Sequence, residues 1–161
     1  SMEKQVIRAD VPENGGAYNL CIRYGDMLYL SGLAPFEAEY CAAVAAARAA
    51  GASVPPMPDT PFERQCEIVM EHIKRLVEAA GSNMDCLIKT NVWLKDQGTA
   101  EQFEKVYRRY FSSPEALPAR ARMQAGRLPM DYNKPQGRHG NVRHELRPMR
   151  RFHGARARPG P

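Results

Sequence analysis

The sequence predicts an α+β sandwich in which two helices cover one face of a mostly antiparallel sheet, in the order ββαβαββ. Three observations support this prediction: a hairpin signal near the start, strict alternation in one later segment, and two stretches with helical periodicity. The chain has 161 residues, of which 43% are hydrophobic and 25% charged, as in a single globular domain. We expect residues 1–150 to form that domain and residues 151–161 to form a basic, disordered tail.

Three strands are indicated in the first two thirds of the sequence. Strands are predicted at 18–24 and 27–31 because β-prone residues flank Gly25-Asp26, and glycine supplies the positive φ that a tight hairpin turn needs. Another strand is predicted at 86–94. Its apolar residues alternate with polar ones, which is the period of two of a half-buried strand.

A long helix is predicted between Thr60 and Gly81. Thr60 and Glu63 have the spacing of a capping box, and Pro61 suits the first helical turn. An apolar stripe follows at spacings of three and four residues, and Gly81 stands where a left-handed C-cap is favoured. The stripe consists of Phe62, Cys66, Val69, Ile73, Leu76 and Ala80. His72, beside the stripe, is expected on the surface.

Shorter elements complete the predicted order. A second helix is expected over 99–111, followed by strands over 119–128 and 142–147. Residues 36–61 stand apart as an insertion that is rich in alanine and proline. Its first half favours a helix, although its apolar spacing does not indicate which face is buried.

The cysteine spacing and the charge distribution limit which cellular compartment and which binding partners we expect for this protein. Cys21, Cys41, Cys66 and Cys86 lack the paired spacing of a zinc site, and we expect reduced, mostly buried thiols. Residues 138–161 carry seven arginines and one acid, so the rest of the chain is close to neutral. Neither an apolar run of membrane-spanning length nor a signal-peptide pattern is found. We therefore expect a cytoplasmic protein without a membrane partner.

The motifs of nucleotide-dependent and serine hydrolases are missing from the sequence. It contains no glycine-rich phosphate loop followed by Lys-Ser/Thr and no Gly-x-Ser-x-Gly elbow. The histidines near the end have irregular spacing, which does not fit a set of metal ligands. We therefore expect neither a cofactor nor a metal.

Five ordered segments resemble the Rid/YjgF family, small trimeric enamine and imine deaminases once described as L-PSP ribonucleases. The resemblance covers about residues 15–35 and 60–130. It implies a chorismate-mutase-like fold and a homotrimer whose sheets close into a central barrel. The segments are Leu-Tyr-Leu-Ser31-Gly32, the Gln65 helix ending in Ala79-Ala80-Gly81, Ile-Lys-Thr-Asn-Val-Trp-Leu-Lys-Asp96, Val106-Tyr107 with Tyr110-Phe111, and Pro118-Ala119-Arg120.

The resemblance also implies a site in the cleft between neighbouring subunits. In the family an arginine there holds the substrate carboxylate, while a glutamate and backbone groups handle a hydrolytic water. Arg120 matches the arginine and Glu145 is the best match for the glutamate, so these two are the expected catalytic residues. Tyr18, Ser31 and Gly32 match positions that line the substrate pocket.

Arg122 raises the question of the substrate's charge. It stands where the family often has a cysteine, and Glu104 stands where some members have an asparagine; both are expected at the substrate. Alternate residues of a strand share a face, so Arg120, Arg122 and Gln124 are expected to point the same way. Two unpaired guanidiniums would be costly to bury. Either the substrate is a dicarboxylate, such as an aminomuconate-like intermediate, or Glu104 or Glu145 pairs with Arg122 and the substrate is a monoanion.

The sequence therefore predicts a cofactor-free deaminase that hydrolyses a carboxylate-bearing enamine or imine to a keto acid and ammonia. The alternative is a non-catalytic trimer that binds small carboxylates through Arg120. A third hypothesis is RNA binding or cleavage, since arginine-rich tails bind phosphates nonspecifically. No aromatic-interleaved RNA motif accompanies the tail, so we do not expect a nucleic-acid partner.

Overall fold

The computed structural model describes residues 3–128 and the backbone of one further short strand at 147–148. These residues form an α+β fold with two three-stranded sheets and three α-helices, so the predicted fold class is confirmed. In chain order the elements are β1 (Lys4–Ile7), β2 (Cys21–Tyr24), β3 (Met27–Leu30), α1 (Ala38–Ala49), α2 (Phe62–Ala79), β4 (Lys89–Leu94), α3 (Ala100–Arg108), β5 (Ala119–Gln124) and β6 (Arg147–Pro148).

The first sheet contains the predicted hairpin and one strand that was not predicted. Strands β2 and β3 pair antiparallel across a turn in which Gly25 has a φ of 58°, as the sequence indicates. Strand β1 adds to the outer side of β2 in antiparallel register. Its sequence, Lys-Gln-Val-Ile, has no alternation, and its first three residues are exposed, so no periodic signal marked it as a strand.

The second sheet has the order β5-β4-β6. Strands β4 and β5 are parallel, with Lys89 opposite Ala119 and Leu94 opposite Gln124, and α3 forms the crossover between them. The other three strand pairings are antiparallel, in agreement with a mostly antiparallel sheet. Strand β6 is described only at 147–148, and the rest of the predicted strand 142–147 lies outside the described residues.

Helix α2 supplies much of the core, and its predicted apolar stripe is buried. Its C-terminus follows the prediction, since Gly81 has a φ of 80° and donates from its backbone N–H to the carbonyl of Glu78. The predicted capping box does not form. The N-cap is Pro61, and the Gln65 amide donates to the backbone carbonyl of Thr60 instead.

The placement of His72 on the surface is wrong. This residue is only 7% exposed, and it shares one small cavity with Pro12, Leu33, Phe36 and Cys41, which are distant from α2 in the sequence. A single apolar stripe predicts one buried face. Segments that precede α2 in the chain contact it outside this stripe at His72, and the periodicity of α2 carries no information about them.

The insertion 36–61 contains α1, as its composition favours, and buries Cys41 and Val44 against the domain. The prediction of free, mostly buried thiols is confirmed for Cys21, Cys41 and Cys66, while Cys86 is partly exposed. Burial raises the pKa of the Cys21 thiol to about 11 and that of Cys66 to about 12, so both stay protonated at neutral pH. Within the described part of the chain, no helix is both long and apolar enough to cross a membrane.

Candidate functional site

Arg120 is held by a two-pronged ion pair with Glu104. One terminal nitrogen, Nη2, donates to Oε1 of Glu104, and the other, Nη1, lies 3.3 Å from Oε2. The two side chains remain 23% and 27% exposed, so the pair sits at the rim of the core rather than inside it. Such parallel contacts fix the plane of a guanidinium as well as its position.

Arg122 shares the same carboxylate. Its Nη1 donates to Oε1 of Glu104 at 2.6 Å, and its Nε donates to Oε1 of Gln97 at 3.1 Å. Gln97 in turn donates from its backbone N–H to the side chain of Gln124 at 3.0 Å. Arg120, Arg122 and Gln124 therefore share one face of β5, as predicted, and the cluster of one acid and two bases keeps one net positive charge.

The sequence explains this arrangement from two periodicities. Strand β5 places arginines at alternate positions after Pro118, so both guanidiniums leave the sheet on the face that α3 covers. Helix α3 buries Phe103, Val106 and Tyr107, and Glu104 lies at the edge of that buried stripe. The Glu104 carboxylate, at the border between the buried and exposed faces of α3, therefore contacts the two arginines of the neighbouring strand β5.

Two aromatic rings pack against the face of the Arg120 guanidinium. Its Cζ atom lies 4.8 Å from the ring centroid of Tyr107 and 5.4 Å from that of Phe103, within the range of cation–π attraction. The hydroxyls of Tyr107 and Thr90 share a hydrogen bond of 2.9 Å. Burial raises the pKa of Tyr107, so its phenol stays neutral, and the hydrogen bond to Thr90 restrains the ring beneath the cation.

Tyr18, Ser31 and Gly32 form a second group at the other sheet. Tyr18 precedes β2 and is 49% exposed, and its hydroxyl donates to Oδ1 of Asn14 at 3.1 Å. Ser31 follows β3, and its hydroxyl donates to the carbonyl of Asn19 at 2.7 Å. Tyr18 and Gly32 line one small cavity of about 20 Å³ together with His72.

The predicted site residues thus fall into two groups within the protomer. Arg120, Arg122 and Glu104 cluster on β5 and α3, whereas Tyr18, Ser31 and Gly32 flank β2 and β3 of the other sheet. Among the residues that the structure describes, β5 is an edge strand of its sheet. Glu145 lies outside the described residues.

Sequence reasoning missed three parts of the cluster. Tyr107 and Phe103 lie within the predicted helix 99–111, but they were not identified as the platform of Arg120. The spacing could have indicated this, since Tyr107 follows Glu104 by three residues and Phe103 by four, and residues at such spacings are neighbours on a helix surface. Gln97 carries no signal in the sequence, because it lies in a short 3₁₀ turn before α3.

A large groove of about 1250 Å³ runs along the outer side of α2, apart from these groups. None of the predicted site residues lines it. Many of its charged residues already pair with one another: Arg109 contacts Glu67 and Tyr110 donates to Glu71 at 2.9 Å. We therefore place the candidate site at the arginine cluster and not in the groove.

Comparison with known proteins agrees with this placement of the chain's elements. A RutC family protein of Saccharolobus solfataricus is 32% identical over 130 residues, which cover 81% of this chain and 90% of that protein. The crystal structure of RidA from an Antarctic Psychrobacter has a TM-score of 0.64 at 28% identity, covering 92% of this chain and 98% of its own. The structure of yeast Mmf1 shares the fold, with a TM-score of 0.65 at 20% identity over 91% of this chain and 96% of its own.

The match extends through the arginine cluster. The family model described as endoribonuclease L-PSP covers residues 9–133, which include both groups of candidate residues up to Arg122. That range is more than three quarters of the chain and contains all described elements from β2 to β5. The chain belongs to the endoribonuclease L-PSP family, the group also called Rid/YjgF.

Proposed function

We propose that this protein hydrolyses a carboxylate-bearing enamine or imine to a keto acid and ammonia. The observation that carries the proposal is the guanidinium of Arg120, fixed in plane by Glu104 and two rings yet partly open to solvent. Membership in a family of imine deaminases supports the reaction class. The proposal needs no bound cofactor, because water and one proton-transferring group suffice for C=N hydrolysis.

Arg120 can hold the substrate carboxylate while it stays paired with Glu104. A guanidinium has five N–H donors, and Glu104 engages one on each terminal nitrogen. The remaining N–H groups can donate to a second carboxylate at the exposed edge of the guanidinium. Since the carboxylate is present in both the imine and the keto acid, this contact orients the reacting carbon through the whole reaction.

The chemical step balances without a redox partner. An enamine first takes a proton at carbon to become the imine. Water then adds to the imine carbon, a proton moves to nitrogen, and the C–N bond breaks to release ammonia and the keto acid. Glu145 stays the proposed carrier of these protons, with Tyr18 and Ser31 at the substrate.

The charge of the cluster supports a monocarboxylate substrate. Glu104 contacts both Arg120 and Arg122, so only one positive charge is left for a ligand. This arrangement favours the interpretation in which Glu104 pairs with Arg122 over the one in which a second substrate carboxylate does so. We accordingly propose 2-imino acids with one carboxylate as the preferred class.

A homotrimer would bring the two groups of site residues together. We propose that the cluster around Arg120 on one protomer faces Tyr18, Ser31 and Gly32 of its neighbour. Support comes from their separation onto different sheets of one protomer. Small carboxylates are then the ligands, without a membrane or nucleic-acid partner.

Ammonia release tests the proposal. An amino acid oxidase acting on L-methionine generates the imine in place, and the protein should speed the appearance of ammonia and keto acid. Arg120→Ala should lower kcat/KM more than tenfold, because charged hydrogen bonds contribute about 1.5–3 kcal/mol. Arg120→Lys should keep part of the activity, since lysine keeps the charge but loses the planar fork.

Arg109→Ala is the matched control. Arg109 also pairs with glutamates, but it lies at the C-terminal end of α3 and contacts Glu63 and Glu67 of α2, away from the cluster, so its removal should leave the rate unchanged. Equal rates for Arg120→Ala and wild type would refute the role of Arg120. Thermal stabilisation by the keto acid without any ammonia release would instead favour the non-catalytic carboxylate binder.

A further inference from the structure

The insertion helix α1 packs against the loop that carries Tyr18. Near its C-terminal end, Nη1 of Arg48 donates to the backbone carbonyl of Asn14 at 2.7 Å and to its Oδ1 at 2.9 Å. One turn earlier, Ala45 packs against Gly15: a Cβ on that glycine would be in van der Waals contact, 3.4 Å from the Cα and Cβ atoms of Ala45. Two points of α1 therefore fix the backbone just before Tyr18.

Asn14 is the link between α1 and Tyr18. Its Oδ1 accepts from three donors: Nη1 of Arg48 at 2.9 Å, the backbone N–H of Gly16 at 3.1 Å and the hydroxyl of Tyr18 at 3.1 Å. An amide oxygen has two lone pairs, so these three donors leave it no capacity for a further partner. The Arg48 contacts hold both ends of Asn14 and thereby orient the oxygen toward Tyr18.

Gly16 completes the arrangement by making room for the ring. A Cβ at this position would lie 2.3 Å from Cε1 of Tyr18 and 2.9 Å from its Cδ1. These distances are far below van der Waals contact, so the ring packs directly on the glycine backbone. Tyr18 is thus placed by contacts on its hydroxyl and on its ring, although half of the side chain is exposed.

We propose that Arg48 and Asn14 are positioning residues that hold Tyr18 in the orientation in which it meets the substrate. The proposal rests on the proposed deaminase function, in which Tyr18 lines the site. It assigns a role to the insertion: α1 adds a brace behind a substrate-contacting side chain. An exposed tyrosine without this brace would sample several rotamers and lose part of its binding contribution to disorder.

The test is a double-mutant cycle on the hydrolysis of the L-methionine imine. Arg48→Ala should raise KM about three- to tenfold, the range that one or two lost hydrogen bonds produce, with kcat changed less. In a Tyr18→Phe background the same change should have little further effect, because the hydroxyl it orients is gone. An Arg48→Ala effect of equal size in both backgrounds would overturn the proposal.

Matched variants separate positioning from general damage to the fold. Arg48→Lys should restore most of the wild-type KM, since its ammonium can still donate to Asn14. Glu39→Ala, on the exposed side of the same helix, should leave KM unchanged. Gly16→Ala should raise KM by displacing the ring, whereas Gly126→Ala, where a Cβ meets open space, should not. A wild-type KM for Gly16→Ala would count against the proposal.

A second readout does not depend on turnover. In protein labelled with ¹³C-tyrosine, the Tyr18 resonance is identified by its loss in Tyr18→Phe. This resonance should shift in Arg48→Ala and return to its wild-type position in Arg48→Lys. An unmoved resonance in Arg48→Ala would overturn the positioning role of Arg48 and Asn14 while leaving the proposed deaminase function intact. If the wild-type protein hydrolyses no imine but the resonance shifts in Arg48→Ala, the proposed function is refuted and the positioning role stands.

Discussion

Glu104 accepts hydrogen bonds from two arginines that reach it from the same strand. Without it, Arg120 and Arg122 would be two like charges on one face with no acid between them, and each would favour an anion more strongly. The side chain therefore sets how much positive charge the candidate site offers. At the residue scale, we therefore predict that this one carboxylate determines whether the candidate site prefers monoanions or dianions.

Replacing that carboxylate should change the substrate preference. Glu104→Gln keeps the size of the side chain and raises the net charge of the cluster from one to two positive charges. We expect kcat/KM for a dicarboxylic imine to rise at least about threefold relative to a monocarboxylic one. Arg122→Ala should move the ratio the other way. Rates measured side by side on both imines check this, and an unchanged ratio in both variants would contradict the charge argument.

His72 should make stability depend on pH. Burial, helped by Arg75 and Arg64 and opposed by Glu37 and Glu71, lowers the pKa of His72 from 6.5 to about 4. Below about 6.5 the unfolded chain binds a proton at this imidazole that the folded protein does not bind until about 4. The free energy of unfolding should therefore fall as pH drops through this window, by up to about 3 kcal/mol.

The comparison for His72 is a neutral variant of similar size. Denaturant unfolding of wild type and His72→Gln between pH 7 and pH 4 measures both slopes. The loss of stability on acidification should be smaller in the variant, whatever its stability at pH 7. Parallel curves would show that this imidazole does not carry the dependence.

Single side chains were predicted well where a strand or helix period fixed their direction. The shared face of Arg120, Arg122 and Gln124 followed from alternation alone. The burial of His72 could not be predicted, because it depends on a second element that covers α2. The contact between Arg48 and Asn14 joins residues 34 positions apart across a loop, and local sequence patterns carry no information about such pairs.

At the scale of elements, glycines marked boundaries more reliably than capping residues did. Gly25 and Gly81 both adopt the positive φ that their positions predict. The Thr60–Glu63 capping box has the right spacing but does not form, because α2 begins at Phe62 with Pro61 as its N-cap, one residue later than the box requires. Strand β1 and the parallel pairing of β4 with β5 depend on long-range contacts that no local pattern specifies.

The terminus of α2 offers a test at this scale. Gly81→Ala forces a Cβ into a left-handed conformation, at φ 80°, and should lower the free energy of unfolding by about 1–2 kcal/mol. Gly126→Ala introduces the same methyl group where a Cβ meets open space and the φ is not in the left-handed region. Chemical denaturation should show a loss for the first variant only, and equal stability of both would argue against strain at the C-cap.

At the scale of the whole molecule, the candidate residues lie on two sheets, and a trimer is proposed to join them into one site. Mixed assemblies test this sharing. Arg120→Ala and Tyr18→Ala should each be weakly active alone, but subunits dissociated together and reassembled should regain about a quarter of the wild-type sites. No recovery, although mixed trimers form, would place both residues in the site of one protomer.

The most direct measurement of the central claim is a crystal structure of the protein with a bound 2-keto acid, the product of the proposed reaction. We predict that both carboxylate oxygens lie within hydrogen-bonding distance of the Arg120 guanidinium, beside Glu104, with the keto carbon facing Tyr18 of the neighbouring protomer. A keto acid seated elsewhere, with Arg120 still bound only by Glu104, would contradict the account.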